Sequence, residues 1–172
     1  MSDKSFINIS PTLITDNPFH LIDKEWMLIT AGNLQSFNTM TASWGGFGIL
    51  WNKPVIFCFV RPVRYTYQFI EESGFFTATF FDRKYRKALN FCGANSGRDT
   101  DKMAATGFTP LVSPNGSVYF EQARLVLECR KLYFTDIDPE HFLDPVINKN
   151  YPLADYHRLY IGEIMNCLQK EK

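Results

Sequence analysis

Two periodicities alternate along the chain. Residues 38–44 (Asn-Thr-Met-Thr-Ala-Ser-Trp) repeat with period two: Met40, Ala42 and Trp44 share one face, and Thr39, Thr41 and Ser43 put three hydroxyls on the other. This predicts a two-faced strand running into a glycine turn at Gly45-Gly46. Residues 26–31 predict an earlier strand ended by Gly32-Asn33, and the apolar run 54–60 predicts a strand buried on both faces, in a barrel wall covered by helix or by a partner subunit. A short helix follows over 65–72, with Tyr65 and Phe69 as i,i+4 neighbours and Ser73-Gly74 as its stop. Residues 75–81 form an aromatic-rich strand. Asp82 is the expected N-cap of a second helix, with Tyr85, Ala88, Leu89 and Cys92 in register and Gly93 as terminator. Ser96-Gly97-Arg98-Asp99 fits a capping box, which predicts a third helix from there to about Thr106.

Ser113-Pro114-Asn115-Gly116 predicts a hairpin between strands at 110–112 and 118–120. A long strand starts at Ala123, with Leu125, Leu127 and Cys129 in phase. The phase then slips to Leu132 and Phe134, which predicts a bulge near Arg130-Lys131. Residues 139–152 read as loop or short turn and 158–168 as the last strand. The first 24 residues, interrupted by Pro11 and Pro18, read as an irregular arm. There is no repeat or linker, and 172 residues predict one domain. The pattern is mainly β (α+β): antiparallel strands with two or three short helices inserted mid-chain, as in a small Greek-key barrel.

Composition narrows the function. An apolar fraction of 45% with 16 Phe implies a packed core. Eighteen basic residues balance 18 acidic ones, so no net field draws nucleic acid or anionic lipid, and an anionic ligand needs local cations. No apolar run approaches the ~18 residues of a membrane helix, and Met1-Ser2-Asp3-Lys4 lacks a signal pattern; the expected location is cytoplasmic. Cys58, Cys92, Cys129 and Cys167 show no metal or dithiol spacing. The first, third and fourth read as core residues, while Cys92 sits in a Gly/Ser loop. No zinc, hydrolase or Rossmann signature is present.

Candidate chemistry falls in four segments. The hydroxyl row and diglycine at 38–46 let a flat polar ligand approach backbone amides, with Asn38 offering donor and acceptor together. Trp44 walls such a ligand or packs in the core. Arg61, Arg64 and Thr66 follow the buried run 54–60; Arg64 and Thr66, at a helix start, suit a phosphate, against a surface pairing of Arg64 with Glu71 or Glu72. Arg61 reads as an anchor for a backbone carbonyl. Ser96, Arg98 and Lys102 form a second cationic cluster, against a capped and solvated helix face. His157, with Asp155, precedes the last strand, and His141 lies in the turn after Pro139.

These four segments, in this order, resemble the flavin reductase-like proteins, especially the flavoredoxin-type branch of the FMN-binding split-barrel superfamily. The resemblance runs from about Asn33 to Leu168 and includes Ser96-Gly97-Arg98-Asp99-Thr100-Asp101-Lys102. It implies a split barrel, a homodimer, and FMN at the subunit junction. By resemblance, Asn38, Thr41, Ser43 and Trp44 contact the flavin, and Lys102 approaches its N1–C2=O edge or its phosphate. An Asp/His pair like Asp155 and His157 lies near the nicotinamide in related reductases, although Tyr156 between them alters their facing here. The implied activity passes electrons from NADH or NADPH through FMN to free flavin or a partner protein. The alternatives are a split-barrel protein that holds flavin or another small ligand without turnover, and a pyridoxamine-phosphate-oxidase-like enzyme.

Overall fold

The computed structural model describes residues 5–171; Met1–Lys4, which entered the expectation about location, lie outside the described residues. Strands β1 (Phe6–Ile9), β2 (Met27–Asn33), β3 (Ser36–Ala42), β4 (Gly45–Leu50), β5 (Lys53–Val60), β6 (Phe75–Phe81), β7 (Pro110–Val112), β8 (Val118–Phe120), β9 (Ala123–Asp136) and β10 (Arg158–Lys170) are joined by helices α1 (Pro18–His20), α2 (Thr66–Glu72), α3 (Arg86–Ala94) and α4 (Lys102–Thr106). The main sheet is antiparallel in the order β3-β2-β6-β9-β10-β5-β4, with β1 added to β10; β7 and β8 form a separate hairpin. Its two edges, β3 and β4, are linked by Ser43-Trp44 alone. A sheet whose outermost strands are two residues apart must curl on itself, so the barrel has its seam at Ser43-Trp44.

Met40 and Ala42 of β3 face the barrel interior with Ile29, Ile56, Cys58, Val60, Phe76 and Phe80. A second core, built on Leu28, Phe81, Leu89, Phe108 and Phe120, lies between the sheet, α3 and the hairpin. Phe108 stacks on Phe81 and on Phe120 at centroid distances of 4.9 and 5.4 Å, and those two rings lie 6.3 Å apart. The hairpin is held from below by Glu128, a buried carboxylate that accepts from the Ser113 hydroxyl, from the Asn115 backbone and side chain (3.0 and 2.9 Å), and from Asn166 Nδ2 (2.7 Å). These donors satisfy the polar atoms that burial takes from water.

Several expectations change. The arm is not irregular: β1 pairs with the end of β10, and Pro11 and Pro18 open short turns capped by Ser10 and Asn17, because proline suits the first turn of a helix. The glycine run is strand β4 and not a turn. Gly45 has φ 152°, and a Cβ there would lie 2.5 Å from the Phe57 carbonyl oxygen, so a glycine is required. The tight turn comes after it, at Trp51-Asn52, both with positive φ (50° and 58°). Within the single chain one face of β5 is covered: Ile56, Cys58 and Val60 point inward, while Phe57 and Phe59 on the other face are only partly covered. The third helix does not start at Ser96. Asp101 caps it by accepting from Met103 N and Ala104 N (2.9 and 3.0 Å), and Ser96–Asp99 forms a turn. Asp82 makes no side-chain cap; a 3-10 turn at Arg83–Tyr85 leads into α3. The bulge falls at Leu132, where the register with β10 passes from Tyr133 to Lys131, and β10 carries a second at Met165. All four cysteines are buried, and burial pushes the Cys58 thiol up to about 12.

Candidate functional site

The free edge of β3 is the floor of the site. An antiparallel residue points its N–H and C=O to the same side. The Thr39 carbonyl accepts from Lys102 Nζ at 2.6 Å, away from β2, so the backbone of Thr39, and of Thr41 by alternation, faces the open edge. Two cavities adjoin along this edge. One, of about 190 Å³, is lined by Thr41, Ser43, Trp44, Arg64 and His157 together with Phe59 and Arg61. The other, of about 230 Å³, is lined by Asn38, Arg64, Thr66, Ser96 and Lys102 together with Tyr65. Met40 and Arg64 belong to both, which makes one groove with two ends. Asn38, Thr41, Ser43, Trp44, Arg64, Thr66, Ser96, Lys102 and His157 line it, whereas Arg98 and His141 do not. A larger cavity of about 460 Å³, beside Phe81, Arg83, Arg86 and Leu89, contains none of them.

At the first end, Lys102 is 5% exposed and occupies the first position of α4. Its ammonium donates to the carbonyls of Thr39 and of Cys92 (3.0 Å). Burial lowers its pKa to about 8, and Arg64 adds to the effect. The solvated-helix reading of Lys102 is therefore wrong. Asn38 Nδ2 donates to Thr66 Oγ1 at 2.7 Å, and Thr66 is fully buried, so it orients Asn38 from behind. A Cβ on Gly97 would stand 2.0 Å from Asn38 Oδ1, which lets the 96–99 turn close over that amide. Ser96 Oγ accepts from Arg98 N at 3.2 Å, and the Arg98 guanidinium lies 4.7 Å from the Tyr65 ring.

Arg64 joins the ends. Among the described residues it makes no ion pair; Glu71, a partner considered from sequence, is taken by Arg158 at 2.8 Å and by Tyr160. Burial and the neighbouring Arg61 both disfavour its charge. A half-buried guanidinium with no carboxylate calls for an anion.

The second end is built around His157. Its ring lies 5.1 Å from Trp44 and 6.3 Å from Phe59, centroid to centroid, and its Nδ1 is 2.9 Å from the Tyr151 hydroxyl. Burial, then the nearby Arg61 charge, lower its pKa to about 4 against an opposing pull from Asp155. Asp155 itself turns to Arg61 (2.9 and 3.1 Å), whose other nitrogen donates to the Asn150 carbonyl at 2.7 Å. Arg61 is thus the loop anchor, and Asp155 and His157 go to different partners, Arg61 and Tyr151. Trp44 is not core: it lies past the end of β3 and is 46% exposed. Thr41 turns its hydroxyl to the Leu89 carbonyl of α3, leaving its lone pairs and backbone to the groove. His141 is exposed beside Asp138 and lines neither end. Tyr151 and Phe59 escaped sequence reading; an aromatic cluster at Tyr151, Tyr156 and His157 was the available signal.

Among the described residues no helix is long and apolar enough to cross a membrane. No curated protein sequence gives a significant match. Among solved structures, an FMN-binding domain of a flavin reductase-like enzyme from Shewanella baltica OS155 superposes with a TM-score of 0.71 at 17% identity, covering 99% of this chain and 80% of that one. Flavoredoxin of Desulfovibrio vulgaris (Miyazaki F) gives 0.67 at 24% identity over 96% of this chain and 78% of that one. An FMN-binding protein from Thermus thermophilus with bound 1-cyclohex-2-enone gives 0.65 at 19% identity over 92% and 75%. At these identities the likeness establishes the fold, a split antiparallel barrel. Residues 19–172 match the flavin reductase like domain, and the chain belongs to that family.

Proposed function

We propose that this chain is an FMN-binding oxidoreductase of flavin reductase or flavoredoxin type, taking electrons from NADH or NADPH and passing them to free flavin or a redox partner protein. The observation that carries the reading is the two-ended groove on the β3 edge. The donor set fits FMN: Arg64, Lys102 and the Ser96 hydroxyl suit its phosphate, the exposed backbone of Thr41 with Ser43 and Asn38 suits the pyrimidine edge, and Trp44 suits the ring. When bound, FMN supplies the redox chemistry. The chain's own residues do simpler work. Arg64 and Lys102 hold negative charge, Asn38 is held in place by Thr66, and Trp44 with Phe59 excludes water around His157.

The assembly we propose is a homodimer that completes the site. Each cavity is smaller than the ~300–1,000 Å³ of a typical ligand pocket, as expected when a second chain supplies a wall. Phe57 and Phe59 are partly open, and Trp51, Tyr133 and Phe134 are exposed. An obligate interface buries roughly 2,000 Å² or more. Light scattering at micromolar concentration should give twice the chain mass; a monomer that still binds FMN contradicts the shared site. The activity is tested by loading the protein with FMN and adding NADH or NADPH without oxygen. Loss of flavin absorbance is expected, whereas bound FMN that stays oxidised with both donors would make the chain a flavin holder without turnover.

A further inference from the structure

The hydrogen bonding around His157 contains one residue with no assigned role. Tyr151 is 6% exposed, and its hydroxyl makes one hydrogen bond among the described residues, to His157 Nδ1 at 2.9 Å. A buried hydroxyl hydrogen needs an acceptor. If Nδ1 carried the proton, both groups would present hydrogens and the tyrosine's own would have nowhere to go. The arrangement that leaves neither unsatisfied has Tyr151 donating and Nδ1 accepting. In a neutral imidazole the proton then resides on Nε2. Among the described residues Nε2 has no partner and no buried side-chain polar atom is left unpartnered, so Nε2 is open, and the open space beside this ring is the cavity between Trp44 and Phe59.

We infer that Tyr151 is a positioning residue of this site, fixing His157 as an uncharged Nε2–H donor aimed at a carbonyl-type oxygen of the ligand that enters beside Trp44. The surroundings agree. Arg61 and Arg64 line the same cavity, Arg61 repels a proton on the ring and draws Asp155 to itself, and Trp44 and Phe59 offer no counter-charge. Arg61 also lies 5.1 Å from the Tyr151 ring and ties down the Asn150 carbonyl, which fixes the loop that delivers the tyrosine. His157 in this state recognises an acceptor and is not a proton source at neutral pH. The assignment to a substrate carbonyl, such as the carboxamide of a nicotinamide, rests on the function proposed above; the assignment of the tautomer does not.

The two parts are tested separately. Nitrogen-15 NMR of the imidazoles in the flavin-free protein should show His157 as the neutral Nε2–H tautomer at pH 6, with protonation only near pH 4. In Tyr151→Phe, loss of the donor to Nδ1 should mix the tautomers and raise the protonation midpoint by about a unit. The Nδ1–H tautomer or a charged ring in the wild type at pH 6 overturns the inference, as does an unchanged spectrum in folded Tyr151→Phe. Should that variant not fold, the wild-type spectrum alone decides. For the ligand, FMN-loaded His157→Gln, which keeps an N–H donor at similar reach, should retain most of the wild-type KM for the nicotinamide donor, while His157→Ala should raise it about tenfold. Equal KM values for the two variants would refute the carbonyl contact while leaving the tautomer standing.

Discussion

Lys102 and His157 are both nitrogen bases sealed at opposite ends of one groove, 5% and 8% exposed, and burial lowers the pKa of each. The outcomes differ because the starting points differ. Lysine falls from 10.5 to about 8 and keeps its charge at neutral pH, helped by two backbone carbonyls that accept from it. Histidine falls from 6.5 to about 4 and is neutral. The same physical penalty thus makes one end of the groove cationic and the other an uncharged donor. A ligand with a phosphate at one end and a redox-active ring at the other matches that polarity, with Arg64 between them adding a charge that pairs with no carboxylate among the described residues.

The largest way to break the contrast is Lys102→Met. It strands the carbonyls of Thr39 and Cys92, at a cost of about 1–3 kcal/mol, and it removes a cation from the phosphate end. A lower urea midpoint and FMN binding about ten- to hundredfold weaker are expected. A variant as stable as wild type with unchanged affinity would return Lys102 to a decorative role. Arg64→Met separates affinity from stability. Among the described residues its guanidinium has no ion-pair partner to lose, so the urea midpoint should hold while FMN affinity falls about tenfold or more, leaving riboflavin binding unchanged. Equal losses for both flavins would move the phosphate elsewhere.

The histidine end is tested by acid. The folded pKa is about 4 and the ordinary value 6.5, so between these the unfolded chain binds more protons. The contribution of His157 to stability is then fully present above pH 6.5 and is lost as the pH falls towards 4. Denaturant curves for wild type and His157→Gln at pH 4.5 and 7 should differ in pH response by on the order of 2 kcal/mol. For Lys102 the window is pH 8 to 10.5, where the folded chain sheds its proton first and stability gains with rising pH. The smallest effect concerns Gly97→Ala. The added methyl meets Asn38 Oδ1, and moving the 96–99 turn aside should weaken FMN binding by about threefold with little change in stability. Full wild-type affinity would show that Asn38 does not need that close cover.

The strands were legible because alternation reports burial, and the long strand's slipped phase marked the bulge at Leu132 within two residues. The glycine run misled because φ 152° at Gly45 serves a close passage past Phe57 within β4, and composition cannot separate that from a turn. Ser96 misled for a related reason. Two acids follow it, and only three-dimensional reach shows that Asp101 does the capping. The site residues could be named because hydroxyls, Arg64 and Lys102 stand out chemically. Their hidden supports could not: Tyr151 lies six residues from His157 in a loop without periodicity, and Glu128 sits mid-strand with neutral partners from two other elements. Such pairings are set by how the chain returns on itself, which local patterns do not record.

The central claim is that the Arg64–Lys102 end of the groove holds the phosphate of FMN. Fluorescence titration of the purified chain with FMN and with riboflavin tests it most directly, since the two ligands differ only in that group. Binding of FMN about tenfold or more tighter than riboflavin is the predicted result, in keeping with a charge-assisted contact. Equal affinity for the two would contradict it.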